Sequence, residues 1–187
     1  MFKVLIAAIL GGAISFAWTS ASWMFLPWHQ QTIKQFDNEQ VIVKALKSQA
    51  EEDGIYLLPK IDQNSSKPMQ TIASTETFAF ISLRPNGTTL SMQDSMKFSF
   101  LNSVLISILI VILLSCTSDL GYIARVFFVM MVGLVGALSG HVPNLIWWGF
   151  DSSYTIVMIV DIVISWFLAG LVIAAFVGRE PDFELND

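Results

Sequence analysis

Four long apolar stretches dominate this sequence and restrict the folds that are open to it. They cover residues 4–26, 98–116, 123–142 and 154–177, and each is about 19–24 residues long. With a rise of about 1.5 Å per residue, helices of these lengths extend over roughly 28–36 Å, which is enough to cross the ~30 Å hydrocarbon core of a bilayer. We therefore predict four transmembrane helices.

The charge content agrees with a chain that lipid covers in part. Only 13% of the 187 residues are charged, whereas a soluble domain carries about 25%. The formal charge of −5 gives no support for nucleic-acid binding, which needs a basic face. A single cysteine allows no disulfide within the chain.

The first apolar stretch has a second interpretation. A lysine at position 3 followed by an apolar run is typical of a secretory signal, and Thr19-Ser20-Ala21 is a tolerable cleavage site. The apolar run continues through residues 23–26 to Pro27 and Trp28, which is longer than the core of a signal peptide. We expect a retained helix.

These elements predict a membrane all-α fold: a four-helix transmembrane bundle with a small α+β extracytoplasmic domain between helices 1 and 2. We expect transmembrane helix 1 over residues 1–28, the extracytoplasmic domain over 29–97, helices 2–4 over 98–178 and an acidic cytoplasmic tail over 179–187.

The cations that flank the spans predict the orientation. Lys3, Arg125 and Arg179 all fall at one end of the predicted bundle, and short segments rich in Lys and Arg stay in the cytoplasm. Both termini are therefore expected inside. The cations of residues 29–97 count little, because segments longer than about 60 residues largely escape this rule.

The segment between the first two spans carries signals for a helix and a small sheet. Asp37 or Asn38 can cap a helix that runs to about Glu52. Residues 55–58 and 77–84 are typical of short strands, and Pro85-Asn86-Gly87 is a strong turn signal. We expect a helix with a small antiparallel sheet, leaning on the membrane surface or on a partner because so short a domain buries little core.

The other connections are short. Residues 117–121 leave room only for a tight helical hairpin. Residues 141–153 contain Pro143, Gly149 and two tryptophans, and we interpret them as an interfacial segment.

Asp161 is the most informative residue, because an ionisable group within a span costs about 2.5–3.5 kcal/mol on insertion scales and usually faces protein or water. Counting along the helices places several hydroxyl groups near its depth, and they form a candidate ligand or ion site with it: Thr19, Ser20, Ser103 and Ser107. One interpretation is a polar vestibule open to the outside, with Asp161 as the ion, proton or ligand contact. The other is a buried carboxylate, satisfied by hydroxyl groups, that holds the helices together.

A metal site is a further hypothesis. His29 and His141 are the only histidines, and both map to the outer interface, where Asp151 could complete a ligand set. Their spacing matches no ligand motif, so ordinary interfacial histidines are the preferred interpretation. We expect no cofactor.

Small residues recur at four-residue intervals in three spans, a spacing that lets helix backbones approach closely. The sets are Ala7, Gly11 and Ser15; Gly133 with Ala137; Gly136 with Gly140; and Gly170, Ala174 and Gly178. They predict packing faces within the bundle, or a surplus face for a partner.

Several short motifs resemble those of a group of small uncharacterised bacterial membrane proteins. They are Trp18, Trp23, the run Met24-Phe25-Leu26-Pro27-Trp28, Gly54-Ile55-Tyr56 and Phe78-Ala79-Phe80. The resemblance implies the same architecture in a bacterial inner membrane, and it implies no activity.

The sequence contains no phosphate loop, His-Glu-x-x-His, G-x-S-x-G or CxxC motif. The leading hypothesis is a non-enzymatic accessory or assembly component of the lipid bilayer that binds a membrane-protein partner, or a further copy of itself, through its outer domain or its helices. The alternatives are a small oligomeric transporter or channel subunit that uses Asp161, and a membrane-embedded metal protein or enzyme built around His29 and His141.

Overall fold

The computed structural model describes residues 2–59, 77–88, 90–117 and 120–177. Within them the chain forms six helices and two strands in the order α1 (Phe2–Phe25), α2 (Trp28–Thr32), α3 (Glu39–Gln49), β1 (Gly54–Leu58), β2 (Ala79–Leu83), α4 (Met92–Ser115), α5 (Tyr122–Trp148) and α6 (Ser152–Phe176). The predicted acidic tail, with Arg179 and Gly178, lies outside the described residues.

Four of the described helices, α1, α4, α5 and α6, are long and apolar enough to cross a membrane. Many of their large apolar side chains face outward, as helices surrounded by lipid require; Ile123 is 81% exposed and Ile156 is 60% exposed. The predicted set of four candidate spans is confirmed.

The helices pack in the order α4, α1, α6, α5. Helix α1 packs along both α4 and α6, and α6 packs along α5, whereas the consecutive helices α4 and α5 touch only slightly. The short connection between α4 and α5 therefore does not make them main packing partners. Small and branched side chains form the shared core: Ala7, Ala8, Ile110, Val111, Leu114, Val129, Trp166, Ala169 and Ile173.

The small residues explain how closely the helices approach. At Gly11 an added Cβ would lie 2.6 Å from atoms of Ile173 and Ser107, and at Gly133 it would lie 2.7 Å from Trp166. These two predicted packing faces lie inside the bundle. At Gly136 and Gly140 an added Cβ would meet nothing within 4 Å, so that pair does not pack within the chain.

Helix α5 corrects one expectation. It continues through Pro143 to Trp148 and ends at Gly149, whereas the sequence predicted that the apolar span ends at residue 142. Proline is tolerated in membrane helices because neighbouring groups satisfy the freed backbone. Gly149 adopts a left-handed conformation with φ 67°, which is the usual way for a helix to end.

The segment between α1 and α4, which we call the α1–α4 segment (residues 26–91), agrees with prediction in its main elements. The Asn38 side chain accepts a hydrogen bond from the Val41 N–H at 3.2 Å and caps α3, although that helix ends at Gln49, before the predicted Glu52. Strands β1 and β2 pair antiparallel, with Tyr56 opposite Ile81.

The predicted turn at residues 85–87 is present, since the Gly87 N–H donates to the Arg84 carbonyl at 3.1 Å. Helix α4 begins at Met92, and its first turn is capped by Ser91.

Aromatic side chains join the two-stranded sheet to one end of the bundle. The centroid of the Phe80 ring lies 4.9 Å from the ring centroid of Trp148 and 6.2 Å from that of Phe150. We call this the aromatic end; it is also where α1 ends at Phe25 and α2 follows with Trp28. The sheet of the α1–α4 segment thus packs against the bundle.

Candidate functional site

A polar cluster lies between α1, α2 and α6 near the aromatic end, and Asp161 is its centre. Asp161 is only 3% exposed. Its Oδ1 accepts a hydrogen bond from the Trp18 indole N–H at 2.8 Å, and its Oδ2 lies 3.3 Å from His29 Nε2. Both carboxylate oxygens therefore have partners. In this structure Asp161 does not line an open vestibule.

His29 is the least expected member of the cluster. Helix α2 begins directly after Pro27 and turns the imidazole back toward α1 and α6, where it is fully buried. One face of the ring stacks on Trp23, with centroids 4.1 Å apart and planes 7° apart. The Trp28 ring is nearly perpendicular to the imidazole, with centroids 5.7 Å apart and planes 80° apart. His29 is therefore buried within the protein and is not an exposed surface histidine.

Ser22 links the indole of α2 to the imidazole. The Trp28 N–H donates to Ser22 Oγ at 2.9 Å, and that oxygen lies 3.0 Å from His29 Nε2. Ser22 and Asp161 thus meet the same ring nitrogen. In a Ser-His-Asp triad the serine and the carboxylate meet opposite nitrogens, so this cluster lacks the arrangement that activates a serine.

The polar contacts continue one helical turn deeper and then stop. Ser15 Oγ and Ser165 Oγ lie 2.8 Å apart between α1 and α6. Beyond them, Ser107 of α4 is fully buried, and its hydroxyl has no hydrogen-bond partner among the described residues. The apolar core around Ile173 follows. The polar groups therefore reach only part of the way through the bundle.

The sequence singled out Asp161, which lies in the buried cluster, together with hydroxyl groups that lie elsewhere. Thr19 is exposed, and Ser20 and Ser103 are half-buried; none of them contacts the carboxylate in the described hydrogen bonds. Ser107 is buried but lies deeper than the cluster.

The geometry of α1 explains the difference. Each step of four residues along a helix rotates by about 40°, so the series 7, 11, 15, 19 leaves the packing face. Alternating steps of three and four residues stay on that face, and they lead from Ser15 to Trp18 and Ser22. A heptad count would have found both residues.

The predicted metal set does not come together. His29 is held by Asp161, whereas His141 lies half-buried on α5 and Asp151 is exposed at the start of α6. Among residues 2–59, 77–88, 90–117 and 120–177, no three His, Cys, Asp or Glu side chains group closely enough to hold a metal ion.

Asp151 has a different role. Its Oδ1 accepts the N–H groups of Ser153 at 2.8 Å and Tyr154 at 3.1 Å, which makes it the N-cap of α6. These backbone donors, that of Tyr154 first, hold the pKa of the Asp151 carboxyl below its ordinary value, and Lys34 contributes. An anion at a helix N-terminus is favourable.

The opposite end of the bundle has its own cation contact. The Arg125 guanidinium donates to the carbonyl of Val177, directly after the last turn of α6. A cation at a helix C-terminus is favourable. Arg125 therefore lies at a helix end, as expected for a residue at the bundle boundary.

Comparisons with known proteins add no family. No protein-family model, no curated protein and no solved structure matches the chain. The resemblance to small bacterial membrane proteins gains no support from them, and what stands is a mostly helical chain with four candidate membrane helices and a small two-stranded sheet.

Proposed function

We propose that the chain is a non-enzymatic membrane protein, an accessory or assembly component that binds a protein partner through its α1–α4 segment. One observation carries the proposal: large apolar side chains of this segment are exposed outside the four long helices. They are Ile33, Phe36, Val41, Val43, Ile55 and Leu58, which are between 41% and 70% exposed. Such side chains gain free energy when a partner buries them.

Helix α3 supports the proposal further. Its apolar residues Val41, Ile42, Ala45 and Leu46 share one face, yet none of its residues is buried in the described part of the chain. An isolated helix of 11 residues is marginal in water, and so is a two-stranded sheet. A partner surface would stabilise both elements.

Two attachments to the bundle suit this role. His29 holds the start of the segment against α6, and Phe80 holds its sheet against Trp148. A binding surface is most effective when rigid elements support it. In this proposal, the buried cluster attaches the α1–α4 segment to the bundle.

The orientation belongs to the same proposal: both termini in the cytoplasm and residues 29–97 outside a bacterial inner membrane. Support comes from Arg125, which lies at the end of the bundle opposite to Trp28 and Trp148. The native Cys116 is exposed at that end. A membrane-impermeant thiol reagent should label Cys116 only from the inside, and a cysteine introduced at Gln40 in a Cys116→Ala background only from the outside.

Site-specific photocrosslinking tests the partner. A crosslinking residue placed at Phe36, Val41 or Ile55 should yield a protein adduct of one defined mass in cells that express the chain naturally. The matched control is Ile123, which is 81% exposed on α5 and should meet lipid. Adducts that are absent at all three positions, or equally strong at Ile123, would contradict the proposal.

The buried carboxylate–imidazole pair favours a second candidate, a small oligomeric transporter or channel subunit. Ionisable groups inside membrane helices often mark ion pathways. A pH-dependent flux in liposomes that Asp161→Asn abolishes would favour it over the accessory role.

A further inference from the structure

The second ring nitrogen of His29 takes no part in the contacts that hold the cluster together. Nδ1 is buried and has no hydrogen-bond partner among the described residues, whereas Nε2 meets both Ser22 and Asp161. An unpartnered polar atom in a buried site calls for an explanation.

The groups around Nε2 favour one tautomer of the neutral His29 ring. Oδ2 of Asp161 is an acceptor when ionised, so its 3.3 Å contact with Nε2 is favourable when Nε2 carries the proton. Protonated Nε2 can also donate to Ser22 Oγ at 3.0 Å. In the opposite tautomer the Ser22 hydroxyl could donate to Nε2, but the Nε2 lone pair would also lie against the carboxylate, and the buried N–H at Nδ1 would have no acceptor among the described residues.

The helices packed around His29 and Asp161 carry few other ionisable groups. The three elements packed around it are α1, α2 and α6. Their remaining ionisable residues are Lys3, at the far end of α1, and Tyr154, in the first turn of α6; α2 contributes only His29 itself. With Nδ1 unprotonated the pair carries one negative charge, and with Nδ1 protonated it is neutral.

We propose that His29 and Asp161 form a proton-binding site, in which Asp161 fixes the Nε2–H tautomer and Nδ1 takes up a proton from the aqueous side that carries the α1–α4 segment. The lone pair of Nδ1 forms the new N–H bond with a proton from hydronium, and water is released. No other bond changes. The imidazolium charge is balanced by the carboxylate and by the face of Trp23, since a cation is attracted to an indole face.

Proton uptake has a structural consequence. Once protonated, Nδ1 becomes a donor and needs an acceptor, which water can supply only if the cluster opens. Trp23 covers one face of the imidazole and is itself 38% exposed, so a shift of this indole admits water with little change to the helices. The packing of α2 against α1 and α6 therefore changes with pH, independently of any partner.

Nitrogen-15 NMR of histidine-labelled full-length protein in micelles tests the site. His141→Gln leaves His29 as the single histidine. At alkaline pH we expect the Nε2–H tautomer, and on acidification a large upfield shift of the Nδ1 signal alone. In Asp161→Asn the neutral form should become a mixture of both tautomers.

Two results would overturn the proposal: a neutral His29 protonated at Nδ1, or an Nδ1 signal that does not move when the sample is acidified from about pH 8 to about pH 5. Both measurements keep Asp161 intact, so the test stands even if Asp161→Asn does not fold.

Discussion

Replacing Gly12 with alanine should force α1 and α4 apart and destabilise the bundle. An ideal Cβ at this position lies 2.5 Å from the Val104 Cα, 2.8 Å from its nitrogen and 2.9 Å from its Cγ2. Carbon atoms pack best at about 3.5–4.0 Å, so the two helices must separate by about 1 Å. A rotamer change cannot relieve a clash with backbone.

The magnitude follows from the same geometry. Forcing an additional methyl group into a packed interior costs about 1–3 kcal/mol, and a backbone clash belongs at the upper end, about 2–3 kcal/mol. For a chain of this size that lowers the melting temperature by roughly 5–10 °C. At Gly11 the nearest atoms are side-chain tips of Ile173 and Ser107, at 2.6 Å, so we expect about half the effect there.

Thermal unfolding in detergent, followed by tryptophan fluorescence, measures the difference. Gly136→Ala is the matched control, because its new Cβ would meet nothing within 4 Å while the variant has the same helix-propensity gain of about 0.5–1 kcal/mol from replacing glycine with alanine. If Gly12→Ala unfolds at the same temperature as Gly136→Ala, α1 and α4 do not approach this closely.

Three further changes probe the attachments of the helices. Phe80→Ala should make residues 77–88 several-fold more sensitive to limited proteolysis with little change in the melting temperature of the bundle, whereas Ile55→Ala, 62% exposed, should not. For Asp151, the lowered pKa means that its stabilisation is complete above the ordinary value of 3.8 and is lost as pH falls through the lower folded-state pKa. The stability difference between the wild type and Asp151→Asn, which keeps a cap without a titrating group, should therefore change only in that acidic range. Arg125→Gln should cost about 0.5–1 kcal/mol in chemical denaturation by removing the cation at Val177; an unchanged midpoint would rule that contact out.

The spans were predictable because lipid leaves few options for a long apolar stretch. Length and composition alone placed all four helices within a few residues, and the Asn38 cap identified the start of α3. The exceptions were the start of α4, which lies at Met92 and not at residue 98, and the end of α5. A proline and two tryptophans suggested that an interfacial segment follows a span ending at residue 142, but α5 continues through Pro143 to Trp148.

The site was predictable only at its centre. Asp161 stands out because a carboxylate is costly within an apolar helix. Its partners do not stand out: Trp18 resembles any membrane tryptophan, and His29 is far from Asp161 in the sequence. The burial of His29 depends on the single turn of α2 after Pro27 and on the packing of α6, both of which are long-range outcomes.

The central claim of this account is the contact between His29 and Asp161, which joins α2 to α6 inside the bundle. A double-mutant cycle with His29→Ala, Asp161→Ala and the double variant measures that contact in detergent. We predict that each single change destabilises the fold and that the two changes are non-additive by at least about 1 kcal/mol. Additive effects, within about 0.3–0.5 kcal/mol, would show that the two side chains do not interact and would contradict the buried pair at the centre of the site.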